Sequence, residues 1–372
     1  MAVKGVRPLY AAGFVTAFGA HSIAANLGGH TGSLLALGIV LAVYDGAEVL
    51  LKPVFGGLAD RIGPRPVLLG GLVAFALASA AFVFAGDPGA VGVARFAQGA
   101  AAAAFSPAAG AMVARLTPKA RQGRAFGRYG AWKGLGYALG PVLGGALITV
   151  GGFALLFTTL AGLAAAVAVW AAIAAPRLEP LPRARQTVVD LARRLTSGSF
   201  LRPTAALAAA TAALATGVGF LPVQGIALGP LVTGTAVSVL AAAAAVVQPR
   251  IGRARDAGRL RDGVGMAIGL GLAAGGFVIA ATVPGIVGIV LAALVIGVGV
   301  AVVTPLGFAM LAASTPPERL GQTMGSAEVG RELGDAGGPL LVGAVATVAA
   351  VSGGFVALAA LLVVAAIAVA IG

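Results

Sequence analysis

The chain of 372 residues contains no cysteine and little charge, since Asp, Glu, Lys and Arg make up only 10% of it. Without cysteine there is no disulfide framework, no thiol nucleophile and no cysteine-based metal site. A soluble domain carries about 25% charged residues, so this composition excludes an ordinary soluble protein. Aromatic residues are also scarce, at 6%, which disfavours a binding site that stacks large planar cations between rings.

Long apolar runs fill the rest of the sequence, which is 59% hydrophobic with a mean hydropathy of +1.01. Runs of about 18 or more apolar residues can cross a bilayer core of about 30 Å. We therefore predict an all-α integral membrane protein with twelve transmembrane helices, arranged as two pseudo-symmetric six-helix bundles. The predicted spans are 8–27, 33–57, 66–86, 90–113, 123–148, 152–175, 203–226, 229–248, 264–283, 286–311, 321–348 and 354–371.

The predicted domains are an N-terminal bundle (1–175), a cytoplasmic central linker (176–202) and a C-terminal bundle (203–372). The linker is basic and interrupted by proline, and its "VVDLARRL" is expected to form a short helix on the membrane surface. Basic residues occur in the N-terminal segment and in every second connection, and the opposite connections have none. Because basic loops stay in the cytoplasm, we predict a multi-pass protein of the cytoplasmic (inner) membrane with both termini inside the cell.

The two halves repeat each other. "TPKARQGRAFG" at 117–127 matches "TPPERLGQTMG" at 315–325, an offset of 315 − 117 = 198, and an offset of 196 pairs Asp60 with Asp256. A parallel repeat is typical of transporters whose site lies between the halves near the membrane midplane. The net charge of +13 is explained by this topology, so no nucleic-acid partner is expected.

Three motifs carry a family resemblance: "GGLADRIGPRP" after the second span, "RFAQG" in the fourth and "GYALGPVLGG" in the fifth. With them the chain resembles the major facilitator superfamily over its whole length, and that family associates the third motif with antiporters. Ala293 stands where Arg95 would repeat, so a role of Arg95 belongs to the first half alone. The motif residues are Gly56, Asp60, Arg61, Gly63 and Arg65; Arg95 and Gln98; and Gly136, Gly140, Pro141, Gly144 and Gly145.

The resemblance implies that the first motif is a gate on the cytoplasmic face, to which we add Lys52. Asp60 is expected to face the positive N-terminal end of the eleventh span, where a helix dipole favours a carboxylate. Such a contact between halves would stabilise an outward-open state. A plain solvated turn is the alternative.

Charged residues inside the spans are the candidate site. Glu48 lies twelve residues before Asp60, or ~18 Å along a helix, which is near mid-membrane depth. We predict pairs Glu48–Arg331 and Lys52–Glu328 that form and break during transport; static pairing that holds the bundle together is the alternative. The candidates for proton coupling or the substrate cavity are His21, Asp45, Glu48, Arg95, Gln98, Lys133, Glu328, Arg331, Glu332 and Asp335.

The predicted function is proton-coupled efflux of a small, cationic or zwitterionic molecule by alternating access, with Glu48 first and Asp45 second as proton carriers. A proton symporter or facilitator that imports a small nutrient remains an alternative, as do a membrane receptor or scaffold and an intramembrane enzyme. The sequence has no recognisable catalytic set, nucleotide loop or metal motif, so no enzyme, cofactor or metal is expected. The expected partners are a small-molecule substrate, protons and the lipid bilayer, with the protein a monomer.

The predicted topology is testable because the chain has no cysteine to label in the background. We expect a single cysteine placed in "GGHTGS" to react with an impermeant thiol reagent outside intact cells. A cysteine placed in "PRARQ" should react only after the membrane is opened. The reverse pattern would contradict the predicted orientation.

Overall fold

The computed structural model describes residues 2–26, 34–182, 188–224 and 230–371, and all regular structure in these ranges is helical. The predicted connections "GGHTGS" and "ALGP" and the residues 183–187 lie wholly or mostly outside the described residues. Eleven α-helices are described: α1 Ala2–Asn26, α2 Leu34–Ile62, α3 Pro64–Ala81, α4 Pro88–Leu116, α5 Gln122–Ala174, α6 Val188–Leu195, α7 Gly198–Gln224, α8 Pro230–Asp256, α9 Asp262–Thr282, α10 Gly285–Ser314 and α11 Leu320–Ile371.

Two of these helices are interrupted and each supplies two spans. The backbone of α5 leaves helical geometry at Gly151 and Gly152, where φ of Gly152 is +68°. The backbone of α11 does so at Ala349 and Ala350, where φ of Ala350 is +55°. The break in α11 falls between two predicted spans, and the break in α5 falls at the start of the predicted span 152–175. The two breaks are separated by the repeat offset, since 349 − 151 = 198. The described chain therefore has twelve long helical segments, as predicted.

Six described helical segments are long and apolar enough to cross a membrane by length and composition alone. The interrupted helices are among them, at 56 and 55 residues with their leading turns. The short helix α6 forms as "VVDLARRL" predicts, and its contact with a membrane surface stays a prediction. The six segments are Pro64–Phe84, Lys119–Ala174, Gly198–Gln224, Asp262–Thr282, Gly285–Ser314 and Pro317–Ile371.

Contacts between helices group the chain into two compact units. The first contains Met1–Pro118, Trp132–Arg183 and Thr315–Val329, and the second contains Lys119–Ala131, Ala184–Ser314 and Gly330–Gly372. The first residues of α5 thus belong to the second unit, and those of α11 to the first. The division into 1–175, 176–202 and 203–372 follows chain order and stays a prediction.

Small residues let the helices of each unit approach closely. In the first unit the third motif places Gly136, Gly140 and Gly144 at four-residue spacing along one face of α5, against α1. Ser22 of α1 donates a hydrogen bond to the Gly140 carbonyl at 2.8 Å. A side chain on this glycine face would separate the helices, so the motif has a packing role.

In the second unit, α11 repeats this arrangement against α7. Gly334 and Gly338 lie 198 residues after Gly136 and Gly140 and face the Ala208 and Ala212 carbonyls of α7. Gly338 also approaches the Thr216 hydroxyl, much as Gly140 approaches Ser22. The third motif is therefore present twice in structure, although its second copy is less complete in sequence.

We expect Gly136→Ala to destabilise the protein, because the new Cβ would lie 2.5 Å from the Phe14 carbonyl oxygen and 2.9 Å from the Phe18 nitrogen. Overpacking of this kind costs about 1–3 kcal/mol. The matched control is Gly134→Ala on the same helix, where a Cβ would meet nothing within 4 Å. The control should be neutral or slightly stabilising in detergent melting experiments. Equal melting temperatures for the two variants would contradict the packing role.

Candidate functional site

The first motif places a carboxylate against the start of α11. Asp60 is near the end of α2 and its side chain is buried. Its Oδ1 accepts a hydrogen bond from the Gly321 amide at 2.7 Å, and its Oδ2 accepts one from the Gln322 amide at 2.8 Å. These amides belong to the first turn of α11, where N–H groups lack intrahelical partners and the helix dipole favours negative charge. The contact expected from the family resemblance is therefore present, within the first unit.

Glycine makes this contact sterically feasible. A Cβ on Gly56 would collide with the Gly321 carbonyl oxygen, and a Cβ on Gly321 would collide with the Gly56 carbonyl oxygen. One turn further on, a Cβ on Gly325 would collide with the Lys52 carbonyl oxygen. The backbones of α2 and α11 therefore touch here, which only glycine permits.

The remaining residues of the first motif shape the turn into α3. Gly63 has φ of +93°, a left-handed conformation that favours glycine, and Pro64 begins α3. Arg65 donates a hydrogen bond to the Ala172 carbonyl at 2.5 Å, near the C-terminal end of α5 where a cation is favoured. Arg61 is exposed. A plain solvated turn does not describe this segment, because Asp60 is buried and bonded.

The repeat supplies a second capping carboxylate, in the second unit. Asp256 ends α8, and its Oδ1 and Oδ2 accept hydrogen bonds from the amides of Gly123 and Arg124, both at 2.9 Å. Gly252 approaches Gly123 as Gly56 approaches Gly321. Sequence reasoning paired Asp60 with Asp256 but assigned Asp256 no role, because its motif is one residue shorter than the first copy.

Four buried charged residues of the first unit form a cluster, which we call the four-charge cluster: Glu48, Lys52, Lys133 and Glu328. The Lys52 ammonium lies 3.1 Å from Glu48 Oε2 and 3.6 Å from Glu328 Oε2. The Lys133 ammonium also lies 3.6 Å from Glu328 Oε2. No member is more than 9% exposed. Glu328 is therefore shared by two lysines, and the Lys52–Glu328 pair expected from the sequence is present.

The four-charge cluster is balanced, with two carboxylates and two ammonium groups. Lys133 also donates a hydrogen bond to Ser106 of α4 at 3.3 Å, so four helices meet at this point. Removing one partner of a buried ion pair costs about 3–5 kcal/mol, because the other charge stays buried and unbalanced. A change of protonation at either carboxylate would therefore have a large energetic effect.

Arg331, the other predicted partner of Glu48, lies in the second unit. Its Nε donates a hydrogen bond to the Thr211 hydroxyl at 3.2 Å, and its guanidinium carbon lies 5.6 Å from the Phe308 ring centroid. The Glu48–Arg331 pair stays a prediction. Glu332 and Asp335 are half-buried on the same helix.

A second polar network surrounds Arg95 of α4. The guanidinium donates a hydrogen bond to Gln98 Oε1 at 2.9 Å, and Gln98 Nε2 donates one to the Ser79 hydroxyl at 3.1 Å. The guanidinium carbon lies 4.2 Å from the centroid of the Tyr44 ring, a cation–π geometry. Arg95 is 2% exposed, and the nearby carboxylates of Asp45 and Glu48 attract its charge.

Asp45 and His21 differ in their surroundings from the four-charge cluster. The Asp45 side chain is exposed, although it lies only three residues before Glu48. The His21 ring is half-buried, and its Nδ1 lies 3.1 Å from the Ala17 carbonyl oxygen one turn back. Its ring also meets Tyr137 edge-on at 4.2 Å between centroids. His21 thus packs against the helix that carries the third motif.

The sequence pattern of the Major Facilitator Superfamily matches residues 9–290, about three quarters of the chain. The chain belongs to the Major Facilitator Superfamily. This membership confirms the predicted family and fold class and identifies a multi-pass membrane protein. The solved structure of the human organic anion transporter MFSD10 (TETRAN) supports the same fold, with a TM-score of 0.84 over 99% of both chains at 19% identity.

Two bacterial proteins are similar to part of this chain. The puromycin resistance protein pur8 of Streptomyces alboniger is 41% identical over 109 residues, which are 29% of this chain and 22% of that protein. The multidrug resistance protein MdtG of Citrobacter koseri is 32% identical over 125 residues, which are 34% of this chain and 31% of that protein. The match thus spans less than a third of either relative.

The capping carboxylates can be tested by amide hydrogen exchange. Asp60→Asn removes the negative charge of the side chain that accepts the two amide hydrogen bonds of α11. A hydrogen bond to a charged group contributes about 1.5–3 kcal/mol to stability. We expect exchange at Gly321 and Gln322 to accelerate about tenfold or more, with Gly123 and Arg124 unchanged.

Asp256→Asn is the matched variant and should give the opposite pattern, with faster exchange only at the start of α5. If both variants accelerate exchange at both helix starts, the two caps do not act independently. If neither does, the carboxylates are not the groups that hold these turns.

Proposed function

We propose that this protein is a proton-coupled efflux transporter that moves a small molecule by alternating access. The observation that carries the proposal is the four-charge cluster, whose members are buried in predicted membrane spans. An intramembrane charge costs at least ~2.5 kcal/mol, and such groups mark ion and substrate pathways. Both relatives are named as resistance proteins, and outward transport is how a membrane transporter gives resistance.

The proposed proton carriers are the two carboxylates of the four-charge cluster. Glu48 is the first candidate from its depth, and we add Glu328 because both lysines meet at its Oε2, so that protonation of this one acid would release both. Proton uptake by either acid leaves the lysines with excess positive charge in a place with little access to water. The cluster then separates or takes up another anionic group, so a proton is converted into movement of helices.

The proposed cargo is cationic or zwitterionic. Five acids lie within the predicted second and eleventh spans, and a cation can replace a lysine or a proton as the partner of any of them. Asp45 is exposed and next to Tyr44, so we propose it as the acid that meets cargo first. The five acids are Asp45, Glu48, Glu328, Glu332 and Asp335.

The proposed gate consists of the two capped helix starts. Asp60 holds the start of α11 and Asp256 holds the start of α5, each through two amides. We propose that each cap lies at the cytoplasmic end of its own unit, in keeping with the basic residues around it, and that it opens when the transporter faces inward. The protein is proposed to work as a monomer with both termini in the cytoplasm.

The coupling test uses purified protein in vesicles with an imposed pH gradient, after a thermal-shift screen of compound classes that includes puromycin. A ligand at a hundred times its dissociation constant should stabilise the protein by ~2.7 kcal/mol. We expect Glu48→Gln or Glu328→Gln to abolish pH-driven flux and to keep substrate exchange across the membrane, which needs no net proton movement.

The matched control is Asp87→Asn, which changes an acid that only caps α4, bonding Gly89 and Ala90. It should keep proton-driven flux. Full proton-driven flux in both glutamine variants would contradict the proposed carriers. Substrate flux in the same direction as the protons would instead identify the symporter alternative, and loss of ligand binding in Glu48→Gln would make Glu48 a substrate ligand.

A further inference from the structure

Three arginines line one exposed face at the start of α5. Arg121 ends the helical turn Lys119–Arg121, and Arg124 and Arg128 follow at helical spacing, so all three side chains lie on one side of the helix. All three are exposed. Among the described residues, no hydrogen bond or ion pair involves their guanidinium groups. The opposite side of these turns carries the contact with Asp256 and Gly252.

The same face continues as an apolar, exposed stripe along the membrane span. Trp132 is 48% exposed and lies one turn after Arg128, and Leu139, Leu143 and Val150 follow, with Val150 82% exposed. From Trp132 to Val150 is 18 residues, or ~27 Å of helix, close to the ~30 Å of a hydrocarbon core. A stripe of this length matches the hydrocarbon core, and this match would place the arginines at headgroup level. Trp at that depth is typical of the membrane interface.

The repeat shows that the cap does not require the cations of Arg124 and Arg128, whereas the cation of Arg121 is kept as Arg319. At the offset of 198, α11 and its leading turn have Arg319, Gln322, Ser326 and Gly330 in place of the three arginines and Trp132. The α11 turn nevertheless forms the equivalent cap with Asp60. Arg124 and Arg128 are therefore cations of α5 that the cap does not explain.

We propose that Arg121, Arg124, Arg128 and Trp132 form a binding site for an anionic phospholipid headgroup. Guanidinium groups bind phosphate oxygens through paired, charge-assisted hydrogen bonds, and three on one face match a phosphodiester with a polar glycerol headgroup such as that of phosphatidylglycerol. The apolar stripe directly below the arginines takes the acyl chains. A free phosphate would use only the arginines and leave the stripe unused, so lipid is the occupant that fits the whole face.

The test uses Trp132 as the reporter, since the chain has only two tryptophans. In the variant Trp170→Phe, Trp132 is the single tryptophan. The variant is placed in two kinds of phosphatidylcholine vesicle, which contain the same small fraction of either brominated phosphatidylglycerol or brominated phosphatidylcholine. We expect brominated phosphatidylglycerol to quench Trp132 with an apparent affinity about fivefold or more above that of brominated phosphatidylcholine. A factor of about five corresponds to the ~1 kcal/mol that one surface arginine contributes to binding an anionic membrane. The added changes Arg121→Gln, Arg124→Gln and Arg128→Gln should reduce that ratio to about one.

The matched control, called the α8–α9 control, removes the same number of charges from the last turn of α8 and the turn that follows it, by Arg253→Gln, Arg259→Gln and Arg261→Gln. These arginines are also exposed and belong to the same unit, so the preference should remain. A second control, Trp132→Phe, reports from Trp170 and should show no preference. If the triple variant does not insert, Arg128→Gln alone should lower the ratio.

Three results would overturn the proposal. The first is a preference that survives loss of the three arginines. The second is that the α8–α9 control loses the preference for phosphatidylglycerol to the same extent, or that Trp170 shows the same preference as Trp132. Either result would mean that the anionic lipid is attracted to a basic protein in general. The third is reversal of the quenching by millimolar inorganic phosphate, which would identify an ordinary anion site in place of a lipid site.

Discussion

The constraint on which the rest of the structure depends is that charge buried among membrane helices must be balanced at close range. Lys52 and Lys133 are both buried, and each meets Glu328, while Lys52 also meets Glu48. The side chains come from α2, α5 and α11, with Ser106 of α4 beside them. Because leaving any one of these charges alone is costly, the cluster fixes how these helices pack wherever it is intact. Its neutrality also makes it sensitive to the addition of a single proton.

The ends of the helices obey a related constraint, since the amides of a first turn need acceptors. Asp60 and Asp256 supply them to α11 and α5, and glycines on both sides allow the backbones to touch. A carboxylate at a helix start is stabilised by the dipole and by two amides at once, so one side chain can hold a whole turn. Each contact therefore consists of two charge-assisted hydrogen bonds beside closely packed glycines.

Much of this was predictable, and the parts that were not have physical reasons. The twelve segments follow from apolar length, and the Asp60 contact follows from a motif whose glycines and acid have fixed spacing. Lys133 was a predicted site residue, but its pairing with Glu328 was not predicted, because a lysine's long side chain can reach several helices and sequence spacing does not show which. Asp256 was visible in the repeat, yet one missing residue in its motif hid the cap. The exposure of Asp45 could not be predicted either. Asp45 and Glu48 lie three residues apart on one helix face, yet Glu48 is buried by neighbouring helices and Asp45 is not.

The Glu328 carboxylate, which Lys52 and Lys133 share, gives the proposed exchange of protons for cargo a simple physical basis. Glu328 balances the two lysines in the structure, and the proposed function requires it also to hold a proton or a cationic cargo. Coulomb attraction at an effective dielectric constant near 20 is about 4 kcal/mol at 4 Å, so a second cation competes with the lysines on nearly equal terms. A proton bound to the same oxygen removes the attraction altogether. Under the proposed function, proton and cationic cargo would exclude each other at one group, which is the condition for moving them in opposite directions.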